Sequence, residues 1–212
     1  MAHLTIAAGR QDLRHADVAT HPTRSIPMAM TVATDGACKR NPGPAGWAWV
    51  NDEGAWASGS LRAGTNNIGE LLALLNAIDE FQYVGDLQIK VDSQYVIDSY
   101  SKWMDGWAKR GWTTAAGAPV ANVDIMKQLL EARNWRRTHG LPDVILVKVK
   151  GHSGDILNGW ADILAVQASE RGAAGIEDVR GTEEGEPAAD ITRLPEGATV
   201  RPATPKRRYR RR

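Results

Sequence analysis

The chain has 212 residues, 42% of them hydrophobic, a formal net charge of +1 and one cysteine, Cys38. That length suits one ordinary domain with extensions, or at most two small ones, and the single cysteine excludes an internal disulfide and fits a reducing cytoplasm. No run approaches the roughly 18 apolar residues of a membrane span, and the N-terminus lacks the basic start and apolar stretch of a secretory signal, so a cytoplasmic protein without membrane association is expected.

Residues 1–27 show no sustained periodicity and carry three histidines and two prolines, which predicts a flexible extension. Residues 30–35 read as a strand with Val32 and Thr34 on one face. Residues 47–51 and 56–61 read as two short strands joined by a turn at Asp52-Glu53-Gly54. A helix is predicted over 67–82, where Leu71, Leu74, Leu75, Ile78 and Phe81 form an apolar stripe and Thr65, Asn66 and Asn67 offer N-caps. Residues 87–92 form another strand, with Leu87, Ile89 and Val91 facing one way. A helical stretch over 93–109, a loop with Gly111, Gly117 and Pro119, and a helix over 123–138 follow. A strand over 144–149 and a last helix over 157–170 close the pattern. The folded unit is expected at 28–171. Beyond it, the Gly, Glu, Pro, Ala and Thr content of 172–212 predicts a disordered linker ending in a basic tail. Three strands, helix, strand, helices, strand, helix is the order of a mixed α/β sheet with helices packed on it.

Charge is unevenly placed. Acidic residues outnumber basic ones between Met28 and Glu170, whereas Lys206-Arg207-Arg208-Tyr209-Arg210-Arg211-Arg212 concentrates positive charge at the C-terminal tip. A slightly acidic core makes sense if some of its carboxylates hold cations. Four carboxylates stand where folding has little use for them: Asp35 and Asp92 at strand ends, Glu70 in the first turns of a helix, and Asp162 between Ala161 and Ile163 in the last helix. If the two strands are parallel neighbours, Asp35 and Asp92 share the sheet end where open α/β sheets place their sites. Oxygen ligands suit Mg²⁺ or Mn²⁺ rather than zinc, and two such ions activate water and stabilise the leaving oxygen of a phosphodiester. Each carboxylate also has a plain structural reading, as a turn residue, a cap or a partner of the helix dipole, and spacing by itself leaves both readings open.

The local sequences separate them. Thr34-Asp35-Gly36-Ala37-Cys38-Lys39-Arg40-Asn41-Pro42-Gly43-Pro44-Ala45-Gly46-Trp47 resembles the opening motif of ribonuclease HI, the bacterial type 1 ribonuclease H. Thr65-Asn66-Asn67-Ile68-Gly69-Glu70-Leu71 is similar to its second motif and Asp92-Ser93-Gln94-Tyr95-Val96 to its third. Lys150-Gly151-His152-Ser153-Gly154 and Asn158-Gly159-Trp160-Ala161-Asp162 are similar to the fourth and fifth. The resemblance spans roughly residues 29–170, in the family's order. It implies an RNase H-like α/β fold with a five-stranded mixed sheet, three antiparallel strands followed by two parallel additions, and helices on both faces. It also implies an endonuclease that hydrolyses the RNA strand of RNA–DNA hybrids, leaving 5′-phosphate and 3′-hydroxyl ends, and that acts as a monomer.

In that resemblance Asp35, Glu70, Asp92 and Asp162 are the catalytic carboxylates for two Mg²⁺ ions, with Mn²⁺ as a substitute, and His152 assists proton transfer or product release. Cys38, Asn41, Asn66, Asn67 and Gln94 match positions along the minor groove of the hybrid, where 2′-hydroxyls distinguish RNA; capping is the structural role open to Asn66 and Asn67. Thr65 and Asn122 match a pocket for a DNA phosphate, Trp103 a surface for a DNA sugar, and Lys109 and Arg110 phosphate contacts. Core packing is the alternative for the Trp103, Trp107 and Trp112 cluster. The sequence departs from the family in two places. Residues 113–121 carry no charge where familiar bacterial members are lysine-rich, so hybrid binding there is expected to be weaker, with the Arg-rich tail as a tethered compensating arm. Gly69, a poor helix former, precedes Glu70 and is expected to be tolerated near the helix start. The rival readings are a non-catalytic hybrid-binding module, which predicts a missing carboxylate although all four are present, and another metal-dependent nuclease of the RNase H-like fold, which would lack the Thr-Asn-Asn and Asp-Ser-Gln-Tyr segments.

Overall fold

The computed structural model describes residues 29–200; the expected N-terminal extension and the basic tip of the tail lie outside the described residues. β1 (Ala29–Cys38), β2 (Gly43–Asn51) and β3 (Trp56–Gly64) form an antiparallel meander. The turn between β2 and β3 closes on Asn51, whose Oδ1 accepts from the amides of Glu53 (3.1 Å) and Ala55 (2.8 Å). Helix α1 (Asn66–Glu80) follows, capped by Thr65, whose hydroxyl accepts from the Ile68 amide. Its Leu71, Leu74, Leu75 and Ile78 are buried as the stripe predicts, each contributing about 1.5–3 kcal/mol.

β4 (Asp86–Val91) adds to β1 in parallel and β5 (Ile145–Lys148) to β4, and with β6 (Val179–Gly181) at the far edge the sheet order is β5-β4-β1-β2-β3-β6. The parallel pairs require crossovers, supplied by α1 and by the helical passage from β4 to β5. Helices cover both faces. Val32, Trp49, Ile89 and Val91 of the sheet pack with α1 and with Met126 and Leu129 of α4 (Val123–Thr138) in the main core. On the other face Ala33 and Val50 meet Leu157 and Ala161 of α5 (Ile156–Ala173), and Ala48 meets Leu164 and Ala165. No helix among the described residues is long and apolar enough to cross a membrane.

The helix expected over 93–109 is three pieces: α2 (Gln94–Asp98), a π-helical turn at Ser99–Trp103, and α3 (Met104–Lys109). The nearly buried Arg133 of α4 grips this turn. It donates to the Tyr100 carbonyl (3.1 Å), pairs with Asp105 and lies 5.5 Å over the Tyr100 ring. A second buried cation, Arg136, has no signal in the sequence pattern. Its guanidinium donates to the carbonyls of Phe81, Gln82, Val84, Gly85 and Pro142 at 2.9–3.3 Å. It thereby ties the loops that enter β4 and β5.

The sheet has six strands rather than the five expected, and residues 172–200 are not a disordered linker. β6 (Val179–Gly181) pairs antiparallel with the outer edge of β3, and a 3₁₀ turn (Thr182–Glu184) follows. The strand is three residues long and mostly exposed, so it carries no periodic signature. It is held instead by polar contacts made only in the folded chain: Asp178 accepts from Arg171 Nε (2.7 Å), Arg180 Nε (2.8 Å) and Ser60 Oγ (2.8 Å).

Candidate active site

Pairing of Thr34 with Val91 across the parallel β1–β4 ladder brings the residues that follow, Asp35 and Asp92, out at the same end of the sheet. Glu70 arrives from α1, and glycines allow the approach. A Cβ on Gly36 would lie 2.1 Å from the Glu70 amide nitrogen, and one on Gly69 2.6 Å from the Gly46 carbonyl oxygen. Both would strike backbone, which cannot step aside. Gly69 is therefore more than tolerated near the helix start: its bare Cα lets α1 lie against β1 and β2 and carry Glu70 to Asp35.

Carboxylate oxygens of Asp35, Glu70 and Asp92 lie within 4.8 Å of one another. The Gly36 amide donates to Asp35 Oδ1 (2.7 Å), and Asn66 Nδ2 to Glu70 Oε1 (3.4 Å). Glu70 Oε2 is buried with no hydrogen-bond partner. Burial, reinforced by repulsion from Asp92 and Asp162, holds the Asp35 carboxyl well above the usual carboxylate range. Burial and repulsion from Asp35 and Asp92 do the same to Glu70. Three acidic side chains in so small a space, one oxygen left orphaned, call for a counter-charge. The all-oxygen donor set fits a hard divalent cation.

Asp162 stands beside this trio rather than inside it. It projects from α5 toward His152, Nδ1 to Oδ2 at 3.3 Å. Burial raises its pKa, the neighbouring His152 opposes the rise and Asp92 adds to it. His152 occupies a left-handed backbone turn (φ 54°). The preceding Gly151 lies against Asp92, since a Cβ there would be 2.5 Å from Asp92 Oδ2. Asp155 fixes the start of α5 by accepting from the Asn158 amide (3.0 Å) and pairing with Lys90 of β4 at 2.7 Å.

The other sequence-predicted residues fall in two groups. Near the trio, Asn41 Oδ1 accepts from the Asn66 amide (3.1 Å), and Asn66 in turn reaches Glu70. Thr65, not Asn66 or Asn67, is the α1 cap. Cys38 ends β1 with its thiol 3.6 Å from the Gly43 and Gly64 carbonyls. Gln94 opens α2 and donates to Asp98 (3.1 Å). The second group lies along the π turn and α3. Trp103 is 41% exposed, with Trp107 behind it at 5.6 Å, whereas Trp107 and Trp112 pack against the core. Lys109 and Arg110 end α3, and Asn122 precedes α4 with Nδ2 3.5 Å from Tyr95 Oη.

Sequence reading missed Lys148. β5 places it in register with Val91, its ammonium donates to the Asp92 carbonyl oxygen, and its charge draws the Glu70 pKa down. Only the strand register reveals that proximity. Asn158, which opens the fifth motif but has no role assigned from it, is buried and shares a hollow with His152 and Asp162.

Comparison with known proteins agrees with this geometry. The family model described as RNase H matches residues 27–170. A Ribonuclease H of Polaromonas naphthalenivorans is 38% identical over 167 residues, covering 73% of this chain and 96% of that protein. A Ribonuclease H of Zymomonas mobilis is 42% identical over 142 residues, covering 65% of this chain and 86% of its own. Among solved structures, LC9-RNase H1, a type 1 RNase H with the type 2 active-site motif, superposes with a TM-score of 0.58 at 25% identity, covering 84% of this chain and 98% of the other.

Proposed function

This chain belongs to the RNase H family and is a ribonuclease, and we propose that it hydrolyses the RNA strand of RNA–DNA hybrids at the Asp35–Glu70–Asp92–Asp162 site. The observation that carries this reading is the convergence of three carboxylates from β1, α1 and the end of β4 within 4.8 Å. The orphaned Glu70 oxygen supports a divalent pair held by these three with Asp162, Mg²⁺ as the resident ion and Mn²⁺ as its substitute. Bound there, the ions supply an activated water and neutralise charge on the departing oxygen. The side chains do the rest. Asp35, anchored by the Gly36 amide, would with Glu70 and Asp92 hold the cations to which the reacting phosphate is drawn. His152, oriented by Asp162, moves a proton or helps release the product. The products carry 5′-phosphate and 3′-hydroxyl ends.

The catalytic unit is residues 28–171, acting as a monomer in the cytoplasm. Asn41, Asn66 and Asn67, with Cys38 and Gln94, read the minor groove, and the hydrogen-bond path from Asn41 through Asn66 to Glu70 couples that contact to the carboxylates. Thr65 and Asn122 hold a DNA phosphate, Trp103 a DNA sugar, and Lys109 and Arg110 contribute sequence-independent phosphate contacts. The test is cleavage of a uniform hybrid beside RNA–RNA and DNA–DNA duplexes, with Mg²⁺ and with chelator. Cutting confined to the RNA strand of the hybrid and dependent on the ion is the expected result. Equal cutting of the other duplexes, or cutting in chelator, overturns the assignment.

A further inference from the structure

The chain beyond α5 does not leave the catalytic unit. It doubles back over the turn of α5 that carries Asp162. After β6, Trp56 Nε1 donates to the Pro187 carbonyl (2.9 Å) and the Ala189 amide to the Gly54 carbonyl (2.8 Å). Ala189 is buried in a cluster with Ala33, Val50, Leu157 and Ala161. Trp160, two residues before Asp162, donates its indole N–H to the carbonyls of both Asp190 and Arg193 (3.1 Å each). The chain then lies on α5 at Gly159, where a Cβ would stand 2.7 Å from Leu194 Cδ2 and 4.0 Å from Ala198 Cβ. A Cβ on Gly197 would stand 3.7 Å from Ile163 Cδ1.

Gly159 and Ile163 are about one helical turn apart on one face of α5, and Asp162 lies between them, so the returning segment spans the turn from which the fourth carboxylate projects. A glycine inside a helix is unfavourable beside alanine. The three nearest atoms that a Cβ at 159 would meet belong to Leu194, Pro195 and Ala198, so this glycine makes room for the returning chain. Ala198, Thr199 and Val200 then line the same hollow as His152, Asn158 and Asp162, and Asn158 is buried there with its Oδ1 unpartnered. Val200 also comes within 4.0 Å of where a Gly154 Cβ would be, so the segment reaches the loop that holds His152. On the sheet side, the start of α5 is pinned by the Lys90–Asp155 pair. Asp162 is not one of the three carboxylates gathered by β1, α1 and the end of β4, so its placement depends on what clamps α5.

We infer that residues 187–200 are a positioning strap for the catalytic machinery: docked on Trp160 and Gly159, they clamp the first turns of α5 and the loop before it, and so fix Asp162 and His152 relative to Asp35, Glu70 and Asp92. Trp160, Gly159 and Leu194 act through Asp162 and His152 and not on the substrate. The inference rests on the catalytic assignment above and adds a positioning element that the matched segment, ending at residue 170, does not contain.

The experiment is steady-state cleavage of a uniform RNA–DNA hybrid in saturating Mg²⁺, with hybrid binding in chelator and thermal melting measured on the same proteins. Three full-length variants are compared with the native chain. Trp160→Phe keeps an aromatic ring and removes the donor to Asp190 and Arg193. Gly159→Leu installs a good helix former that displaces Leu194. Gly159→Leu combined with Leu194→Ala gives the room back. Misplacing reacting groups by about 1 Å costs on the order of a hundredfold in rate. Gly159→Leu is therefore expected to lower kcat by about ten- to a hundredfold and Trp160→Phe by a smaller factor, with KM and hybrid affinity in chelator unchanged. The double variant is expected to recover most of the lost kcat. Melting temperatures that fall while kcat stays native overturn the inference, since the segment would then only add stability. A loss of kcat that the double variant does not recover also overturns it, because the new leucine would be disturbing α5 directly. A rise in KM with native kcat overturns it too, by making the segment a substrate contact. If Gly159→Leu does not fold, the kcat of Trp160→Phe decides. A native chain that fails to cut the hybrid overturns the catalytic assignment and the strap together.

Discussion

Replacing Asp35 with asparagine should make the metal-free protein more stable while destroying its activity. Asparagine keeps the side-chain shape and an oxygen to accept from the Gly36 amide, a 2.7 Å bond in the native chain, and removes one of three charges whose oxygens lie within 4.8 Å. At that separation two like charges repel by about 3 kcal/mol at an effective dielectric near 20. The native protein escapes part of this by keeping protons, since the Asp35 and Glu70 carboxyls are both held well above the ordinary range by burial first and repulsion second. The sign follows from that rise. The folded chain retains protons that the unfolded chain releases, so metal-free stability falls as pH climbs from the usual carboxylate range through the raised values. Near pH 8 the relief in Asp35→Asn is about 1–3 kcal/mol, read as a melting temperature several degrees higher in chelator; near pH 5 it is smaller. Added Mg²⁺ should stabilise the native chain strongly and the variant weakly, and hybrid cleavage by the variant should drop about a thousandfold or more. A variant less stable than wild type in chelator near pH 8, or one cleaving at the wild-type rate with Mg²⁺, refutes the electrostatic account of the site.

His152→Ala should slow turnover by about ten- to a hundredfold with KM little altered, measured by steady-state cleavage; an unchanged kcat removes its role in proton movement or product release. Arg136→Ala strands the carbonyls of Phe81, Gln82, Val84, Gly85 and Pro142 and should cost about 3–5 kcal/mol in urea unfolding, with Arg136→Lys restoring only part; a loss below about 1 kcal/mol would contradict the role given to this cation. Asp178 is pushed up by burial, but hydrogen bonds from Arg171, Arg180 and Ser60 outweigh it and bring the carboxyl down to about 2. It therefore contributes stability above the ordinary aspartate range that is lost as pH falls toward that value. Asp178→Asn should cost about 1–2 kcal/mol at neutral pH after solvent screening, the gap closing in acid; a gap constant across that window argues against the ionic origin.

The parts of the fold written in local pattern were legible. The α1 stripe of Leu71, Leu74, Leu75 and Ile78, the α4 span and the alternation along β4 each express one buried face at a fixed period, and the structure buries those faces, whereas β1 at the centre of the sheet is buried on both. What was not legible arises between elements. Ser99–Trp103 reads as plain helix because nothing local to it announces Arg133, which grips Tyr100 from 33 residues away. β6 is three mostly exposed residues, and what keeps it on β3 is the Ser60–Asp178–Arg171 network.

The sequence by itself determined the chemical inventory: which carboxylates, glycines and amides are available, in which order, and within which elements. It put Glu70 and Asp162 in helices and Asp92 at the end of a strand because motif residues and hydrophobic period are both local properties, whereas Asp35, expected at a strand end, lies within β1, which stays paired with β2 as far as Cys38. Tertiary structure alone decided their relation. Parallel pairing of β1 with β4 brought Asp35 and Asp92 together, and backbone contact at Gly36 and Gly69 drew Glu70 in. Packing also left Asp162 with His152, beside the trio, and sent residues 187–200 back over α5 to the same place. Those outcomes depend on distances between segments far apart in the chain, and such distances are set by the packing of the whole.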